Sequence, residues 1–369
     1  MGNLLNGIEE VLLMGPGPSC VSEEVYEALS RKTLGHLDPY FIKIMDGIKA
    51  QLQALLETRN SLTMPLSGTG SAGMEAVFVN LVEPDDAVLI LKNGVFGLRM
   101  AEVATRLGAE VDVLEFDWGT PVLVESVKQK LELKKYKLVA IVHAETSTGV
   151  CNPVAEVGAL LAGLDTLYLV DAVTSFGGME VSMDKWGIDA LYSASQKCLS
   201  CPPGLAPVSF SVRAVDLLMN RQSKVPNWYL DMSLIAGYWE GKSRAYHHTA
   251  PVNMLYGLYQ ALYLILQEGP QSVYSRHLEM HKMLVRGLES LGLEMLVDES
   301  CRLPMLNAVK IPEGVDEAAV RRRLLTDYKI EIGAGLGPLA GQIWRIGLMG
   351  HTARPENVER VLKALREIL

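Results

Sequence analysis

Cysteine is scarce in this chain: there are five in 369 residues (Cys20, Cys151, Cys198, Cys201 and Cys301), an odd number at irregular spacing. That excludes a disulfide framework and points to a reducing compartment, so a cytoplasmic location is expected. Long apolar runs are missing too. The most apolar stretch, M-L-Y-G-L-Y-Q-A-L-Y-L-I-L at 254–266, is too short to cross a bilayer and carries Gln260, so it reads as a buried helix. Positive charge is not in excess: 43 acids face 34 bases, a formal net charge of −9 without long blocks. Nucleic acid and anionic membrane surfaces are poor partners for such a chain, and small-molecule chemistry is the better theme. The start M-G-N-L-L-N-G-I-E-E has no basic region followed by an apolar core, and Asn6 stands where a myristoylation pattern wants Ser or Thr. The C-terminal R-E-I-L is not a peroxisomal address. Repeats, low-complexity tracts and a G-x-x-x-x-G-K-[ST] phosphate loop are all absent.

With 49% hydrophobic and 21% charged residues, the chain has material for large packed cores in one or two joined domains. Short β-rich runs at 61–66, 87–91, 138–143, 167–173, 189–195 and 206–211 alternate with helix-patterned segments such as 42–57, the signature of a parallel α/β sheet. Ser22 followed by Glu23 and Glu24 reads as a helix start whose acids suit the dipole. After about residue 260 the pattern changes to a long helix at 269–291, L-N-A-V-K-I, the helix E-A-A-V-R-R-R-L-L, Q-I-W-R-I-G-L and a last helix from Pro355, which reads as a smaller α+β domain.

Three features carry chemistry. S-G-T-G-S-A-G (67–73) follows a strand and opens a helix, so its backbone N–H groups and the helix dipole form an anion pocket. Gly68, Gly70 and Gly73 also satisfy G-x-G-x-x-G, but the next strand ends in Lys92 and Asn93, so the ribose-holding acid of a dinucleotide site is missing. A tight turn without a ligand is the third reading. Asp171 ends the apolar run L-Y-L-V, where a carboxylate should meet a cation or cap a following helix. Lys197, one α/β unit later in S-A-S-Q-K-C-L-S-C-P-P-G, can reach the same sheet edge, with Ser193, Ala194 and Ser195 leaving room beside a ligand. Pyridoxal phosphate needs a lysine for its aldehyde, a carboxylate for its ring nitrogen and a glycine turn for its phosphate, and so accounts for all three. Cys198 and Cys201 form a C-x-x-C without a second ligand pair, and the adjacent His247 and His248 are expected to point to opposite sides, so no metal site is expected. Arg345, between the apolar Trp344 and Ile346, calls for a planar anion or a structural salt bridge.

In this order and spacing, L-M-G-P-G-P, S-G-T-G-S-A-G, N-G-V-F-G, H-A-E-T-S-T-G-V, L-V-D-A-V-T-S-F-G-G, S-A-S-Q-K-C-L-S-C-P-P-G-L, Y-H-H-T-A-P and W-R-I-G-L-M-G resemble the class V aminotransferases, in particular the alanine–glyoxylate and serine–pyruvate group, nearly end to end. The resemblance implies a pyridoxal 5'-phosphate enzyme of fold type I, α/β, with a mainly parallel seven-stranded large domain (21–255), a smaller α+β domain (256–369), and an N-terminal segment (1–20) at the active-site mouth and the dimer contact. It implies Lys197 as the Schiff-base residue with Gln196 beside it, Asp171 on the pyridine nitrogen and Val173 under the ring. Thr69, Gly70 and Ser71 would cradle the phosphate, Phe96 would stack on the ring and Thr146 would lie near its O3′. Tyr246 and Thr249 would reach the neighbouring subunit's cofactor phosphate in an obligate homodimer, and Arg345 would grip the substrate carboxylate. Phe96 departs from the group's usual Trp, and Ser71 and Thr146 replace a common His and Ser.

The expected activity is transfer of an amino group from alanine or serine to glyoxylate or pyruvate by a ping-pong route. The alternatives are a ureidoglycine–glyoxylate or 2-aminoethylphosphonate–pyruvate aminotransferase, a desulfurase (against which Phe96 speaks), a noncatalytic vitamer-binding protein and, more distantly, a NAD-dependent oxidoreductase.

Overall fold

The computed structural model describes residues 3–240 and 244–369. Met1 and Gly2 of the expected N-terminal segment, and 241–243 of the expected large domain, lie outside the described residues. Seven strands form the main sheet: β1 (Leu62–Ser67), β2 (Ala87–Lys92), β3 (Glu110–Glu115), β4 (Leu138–Val142), β5 (Leu167–Asp171), β6 (Ala190–Tyr192) and β7 (Leu205–Phe210). Their order is β1-β7-β6-β5-β4-β2-β3. Only β7 runs against the others, pairing antiparallel with both β1 and β6, while the remaining neighbours pair in parallel. Six carboxyl ends therefore share one edge, where open α/β sheets bind ligands.

Local sequence explains the strands. L-V-A-I-V and L-Y-L-V-D are buried at every position because helices cover both faces of the sheet centre. β3, E-V-D-V-L-E, was not among the expected strands. It lies at the edge with no fully buried position, so its apolar signal is weak.

The helix expected at 42–57 spans Pro39–Leu55. Asp38 accepts the Tyr40 and Phe41 N–H groups at 2.7 and 3.4 Å and Pro39 occupies the first turn, a stronger start than periodicity alone. Its buried face, Phe41, Met45, Ile48, Leu52 and Leu55, recurs at helical spacing. Helix Glu23–Leu29 begins after Ser22 as expected, although the Ser22 side chain makes no capping bond.

A second core forms where helices Pro270–Ser290 and Pro355–Ile368 cover a three-stranded antiparallel sheet of β8 (Leu306–Lys310), β9 (Gly333–Ala334) and β10 (Ile343–Gly347), with Trp344 fully buried. The boundary expected at 255/256 would cut helix Val252–Glu268. Val252, Leu255, Leu258 and Leu262 belong to the large core, and the change of core falls within the next helix, between Val273 and Met280. A continuous helix ends one core and begins the other, so composition does not mark the border. Leu12 and Met14 pack into the second core, and Leu12–Leu13 runs parallel to Ile330–Glu331.

Gly347 is the point of closest approach. Its N–H donates to Met14 O at 2.7 Å, and a Cβ there would overlap the Gly15 carbonyl. Gly347→Ala should lower the urea midpoint at unchanged slope, a stability loss of about 1–3 kcal/mol. An unchanged midpoint would show that the N-terminal segment is not docked here.

Candidate active site

β1 ends at Ser67 and the chain turns through Gly68 and Thr69 into helix Gly70–Leu81. Thr69 O receives the Ala72 and Gly73 N–H groups at 2.8 and 3.2 Å, which leaves the Gly70 and Ser71 amides at the open end of the helix. The helix lies so close to the sheet that a Cβ on Gly70 would stand 2.8 Å from Ala194 Cβ, and one on Gly73 3.0 Å from Ala206 Cβ. Ala194 was expected to leave room beside a ligand, and it instead admits the close approach of helix Gly70–Leu81. Ser193 Oγ bonds Ala172 O at 3.0 Å and Ser195 Oγ bonds Pro202 O at 2.7 Å, fixing the backbone that leads to Lys197.

β5 delivers Asp171 to the same edge, the segment after β6 delivers Gln196 and Lys197, and the segment after β4 delivers Thr146. These residues, with Thr69, Gly70, Ser71, Phe96 and Val173, line one cavity of about 240 Å³. Tyr246 and Thr249 do not. Tyr246 is exposed and lies beside Thr249, hydroxyl to hydroxyl at 3.4 Å. Arg345 stands behind Thr146, whose carbonyl accepts its Nη1–H at 3.0 Å.

The electrostatics are unusual. Asp171 is buried, and its partners are the Tyr192 hydroxyl at 2.7 Å and the Val173 N–H at 2.8 Å; no cation lies within ion-pair distance among the described residues. The Val173 contact is a local turn and caps no helix. Burial pushes the Asp171 carboxyl up to about 6, with Tyr192 and the Val173 N–H opposing. Burial, with the nearby Arg345 charge, brings the Lys197 amine down to about 8. Lys197 Nζ donates to the Pro16 carbonyl, and the positive-φ Gly17 touches the same side chain, where a Cβ would stand 2.6 Å from Nζ. Gln196 Oε1 is buried without a partner among the described residues.

Burial also lowers the buried Arg345 guanidinium to about 10, with the Glu145 charge opposing. Its Nε donates to Ala334 O at 2.6 Å, and no carboxylate pairs with it among the described residues, so no structural salt bridge occupies it. Phe96 carries the Arg99 guanidinium 5.1 Å from its ring centroid. His247 and His248, expected to diverge, bring their Nδ1 atoms to 2.8 Å because the backbone bends at His248. Cys198 and Cys201 are buried and their thiols are pushed up to about 12, outside the reactive range.

The aminotransferase class-V family model matches residues 20–361. The chain belongs to the class V aminotransferases. This aminotransferase is 39% identical to the (S)-ureidoglycine–glyoxylate transaminase of Bacillus subtilis (strain 168), covering 97% of this chain and 90% of that one. It is 42% identical to the alanine–glyoxylate aminotransferase of Drosophila melanogaster, covering 97% and 92%. The crystal structure of an alanine–glyoxylate aminotransferase from Nostoc sp. superposes with a TM-score of 0.95 at 45% identity, covering 100% and 99%.

Sequence reasoning missed four residues of this class V site. Tyr192 ends an apolar strand and looks like core. Pro16 and Arg99 gain meaning only from tertiary contact. Glu145 had a signal, being an acid inside the otherwise acid-free run 138–150.

Because Asp171 titrates near 6 when folded and near 4 when unfolded, its burial helps stability below about pH 4 and costs progressively more as pH rises through 6. In the cofactor-free protein, Asp171→Asn should therefore gain up to about 3 kcal/mol at pH 8, and nothing at pH 4, by urea unfolding. Equal stability at pH 8 would contradict the buried charge.

Proposed function

We propose that this class V aminotransferase uses pyridoxal 5'-phosphate to move an amino group from alanine or serine to glyoxylate or pyruvate by a ping-pong route. One observation carries the reading. Lys197 and Asp171 face a single cavity, titrate near 8 and near 6, and are not neutralised by each other or by another charged side chain within ion-pair distance among the described residues. A carboxylate left without a cation fits a protonated pyridine nitrogen, and an amine partly neutral at physiological pH fits an aldehyde.

The residues present suit the rest of the group. The open amides of Gly70 and Ser71 with the Thr69 side chain suit its phosphate, Phe96 and Val173 its ring faces, and Thr146 and Gln196 its phenolic side. When bound, pyridoxal phosphate supplies an electrophilic carbonyl and an electron-withdrawing ring that takes up the charge left by α-proton removal. Lys197 then holds or moves that proton with an amine tuned close to the working pH. Asp171 keeps the ring nitrogen protonated. Arg345, anchored on Thr146 and Ala334 by Nε and Nη1, presents the rest of its fork to the substrate carboxylate.

Tyr246 and Thr249 lie off their own cavity and exposed, which supports a homodimer in which each reaches the partner's cofactor phosphate. The segment up to residue 20, which holds Pro16 against Lys197, completes the mouth and extends the dimer contact. All five cysteines are free, in keeping with the cytoplasm. The Bacillus relative makes (S)-ureidoglycine the donor to test beside alanine and serine.

Borohydride reduction of the holoenzyme should fix the label on the peptide containing Lys197 and on none in Lys197→Ala, and initial-rate plots against donor and acceptor should run parallel. A label elsewhere, or intersecting plots, would overturn the reading. Mixing inactive Lys197→Ala with inactive Tyr246→Ala subunits should restore activity through heterodimers holding one intact site; no recovery on subunit exchange would place both residues in the same subunit's site.

A further inference from the structure

Glu145 is fully buried and does not line the cavity. A carboxylate in such a place is costly unless donors meet it. Four do. Oε1 accepts from Ser147 Oγ at 2.5 Å and Ser147 N–H at 3.1 Å, and Oε2 from the Phe96 and Gly97 N–H groups at 3.2 and 3.4 Å. Ser147 Oγ in turn accepts the Val95 N–H at 3.0 Å.

The helix Val95–Arg106 begins after Gly94 with no side-chain cap of its own. Its first three amides, which no helical carbonyl can satisfy, are thus all answered by the Glu145–Ser147 pair; burial pushes the Glu145 carboxyl up to about 7, and the donors from Ser147 and Gly97 oppose that rise. Gly94 makes the approach feasible, since a Cβ there would overlap the Glu145 carboxylate and the Ser147 hydroxyl. This explains the first glycine of N-G-V-F-G.

The geometry points to Glu145 as a positioning residue: its carboxylate fixes the first turn of helix Val95–Arg106, and through it the Phe96 ring, at the wall of the cavity. The functional consequence rests on reading that cavity as the pyridoxal-phosphate site; the clamp itself does not. Glutamate is required because four donors converge on its two oxygens. A glutamine of the same shape has one oxygen and one NH₂, so at least one pair of donors would face another donor. Aspartate is one methylene too short to span Ser147 and Phe96.

Two measurements test the clamp. In the cofactor-free protein, Glu145→Gln should speed amide hydrogen exchange at residues 95–97, and the milder Ser147→Ala should do so to a smaller extent. In the holoenzyme, Glu145→Gln should weaken pyridoxal-phosphate binding on the order of tenfold and lower kcat with little change in the amino-acid KM. The same substitution made on Phe96→Leu should add little, because both remove one interaction. Unchanged exchange, additive losses with Phe96→Leu, or a rise in KM alone would each overturn the proposal; the last would mean that Glu145 acts on Arg345. If Glu145→Gln does not fold, Ser147→Ala alone decides, and unchanged exchange at Val95–Gly97 in that variant refutes the clamp. Should the unaltered chain fail to take up pyridoxal phosphate, the functional reading falls while the exchange measurement still judges the clamp.

Discussion

Two side chains of opposite charge face one small cavity without neutralising each other, and the architecture of the site follows from keeping them so. A direct Asp171–Lys197 ion pair would return the carboxyl and the amine towards their ordinary values and bury both in a pair of little chemical use. Here each has another partner. Tyr192 and the Val173 amide take the carboxylate, while the Pro16 carbonyl takes the ammonium. The result is a carboxyl raised to about 6 and an amine lowered to about 8 in one cavity, each shifted chiefly by burial.

Holding them in this way needs three separate parts of the chain. The parallel sheet supplies Asp171 and the backbone that leads to Lys197. The N-terminal segment supplies the carbonyl, and its placement depends in turn on the second core. Met14 O is fixed by Gly347, and Ser19 bonds the backbone carbonyls of Gln196 and Lys197. The second core therefore shapes the amine's surroundings twice, through the strand carrying Arg345 and through the segment that covers Lys197. A change in how the two cores meet would reach the Lys197 amine without touching a residue of the cavity.

Much of this was legible in the sequence, for physical reasons that differ by element. Buried parallel strands such as β4 and β5 announce themselves as unbroken apolar runs, and the glycine turn and Lys197 stand out against such surroundings. The edge strand β3 was lost because an exposed edge needs no apolar run, and the division expected at 255/256 meets no break in the chain because helix Val252–Glu268 runs through it. Tyr192 reads as core until Asp171 is placed beside it, and Ala194 reads as ligand space until helix Gly70–Leu81 is packed on it. His247 and His248 were misjudged because alternation of side chains assumes an extended backbone, which bends there. Local pattern encodes what a residue's own element requires; contacts across 49 or 181 positions, as for Glu145 with Phe96 and Lys197 with Pro16, it does not.

Phe96 shows how such distant contacts bear on chemistry. A tryptophan, which the sequence resemblance leads one to expect at this position, has an indole N–H that can be anchored by a hydrogen bond. A phenyl ring has no donor, so its position must be imposed through its backbone and by what lies on its face. The chain does both: the Glu145–Ser147 pair holds the amides at the start of the Phe96 helix, and Arg99, one turn later on that helix, sets its guanidinium over the ring. Because the ring that Arg99 covers is carried by the first turn of helix Val95–Arg106, loosening that turn would also part the ring from the cation. The Phe96 ring is thus held as part of a rigid helix terminus.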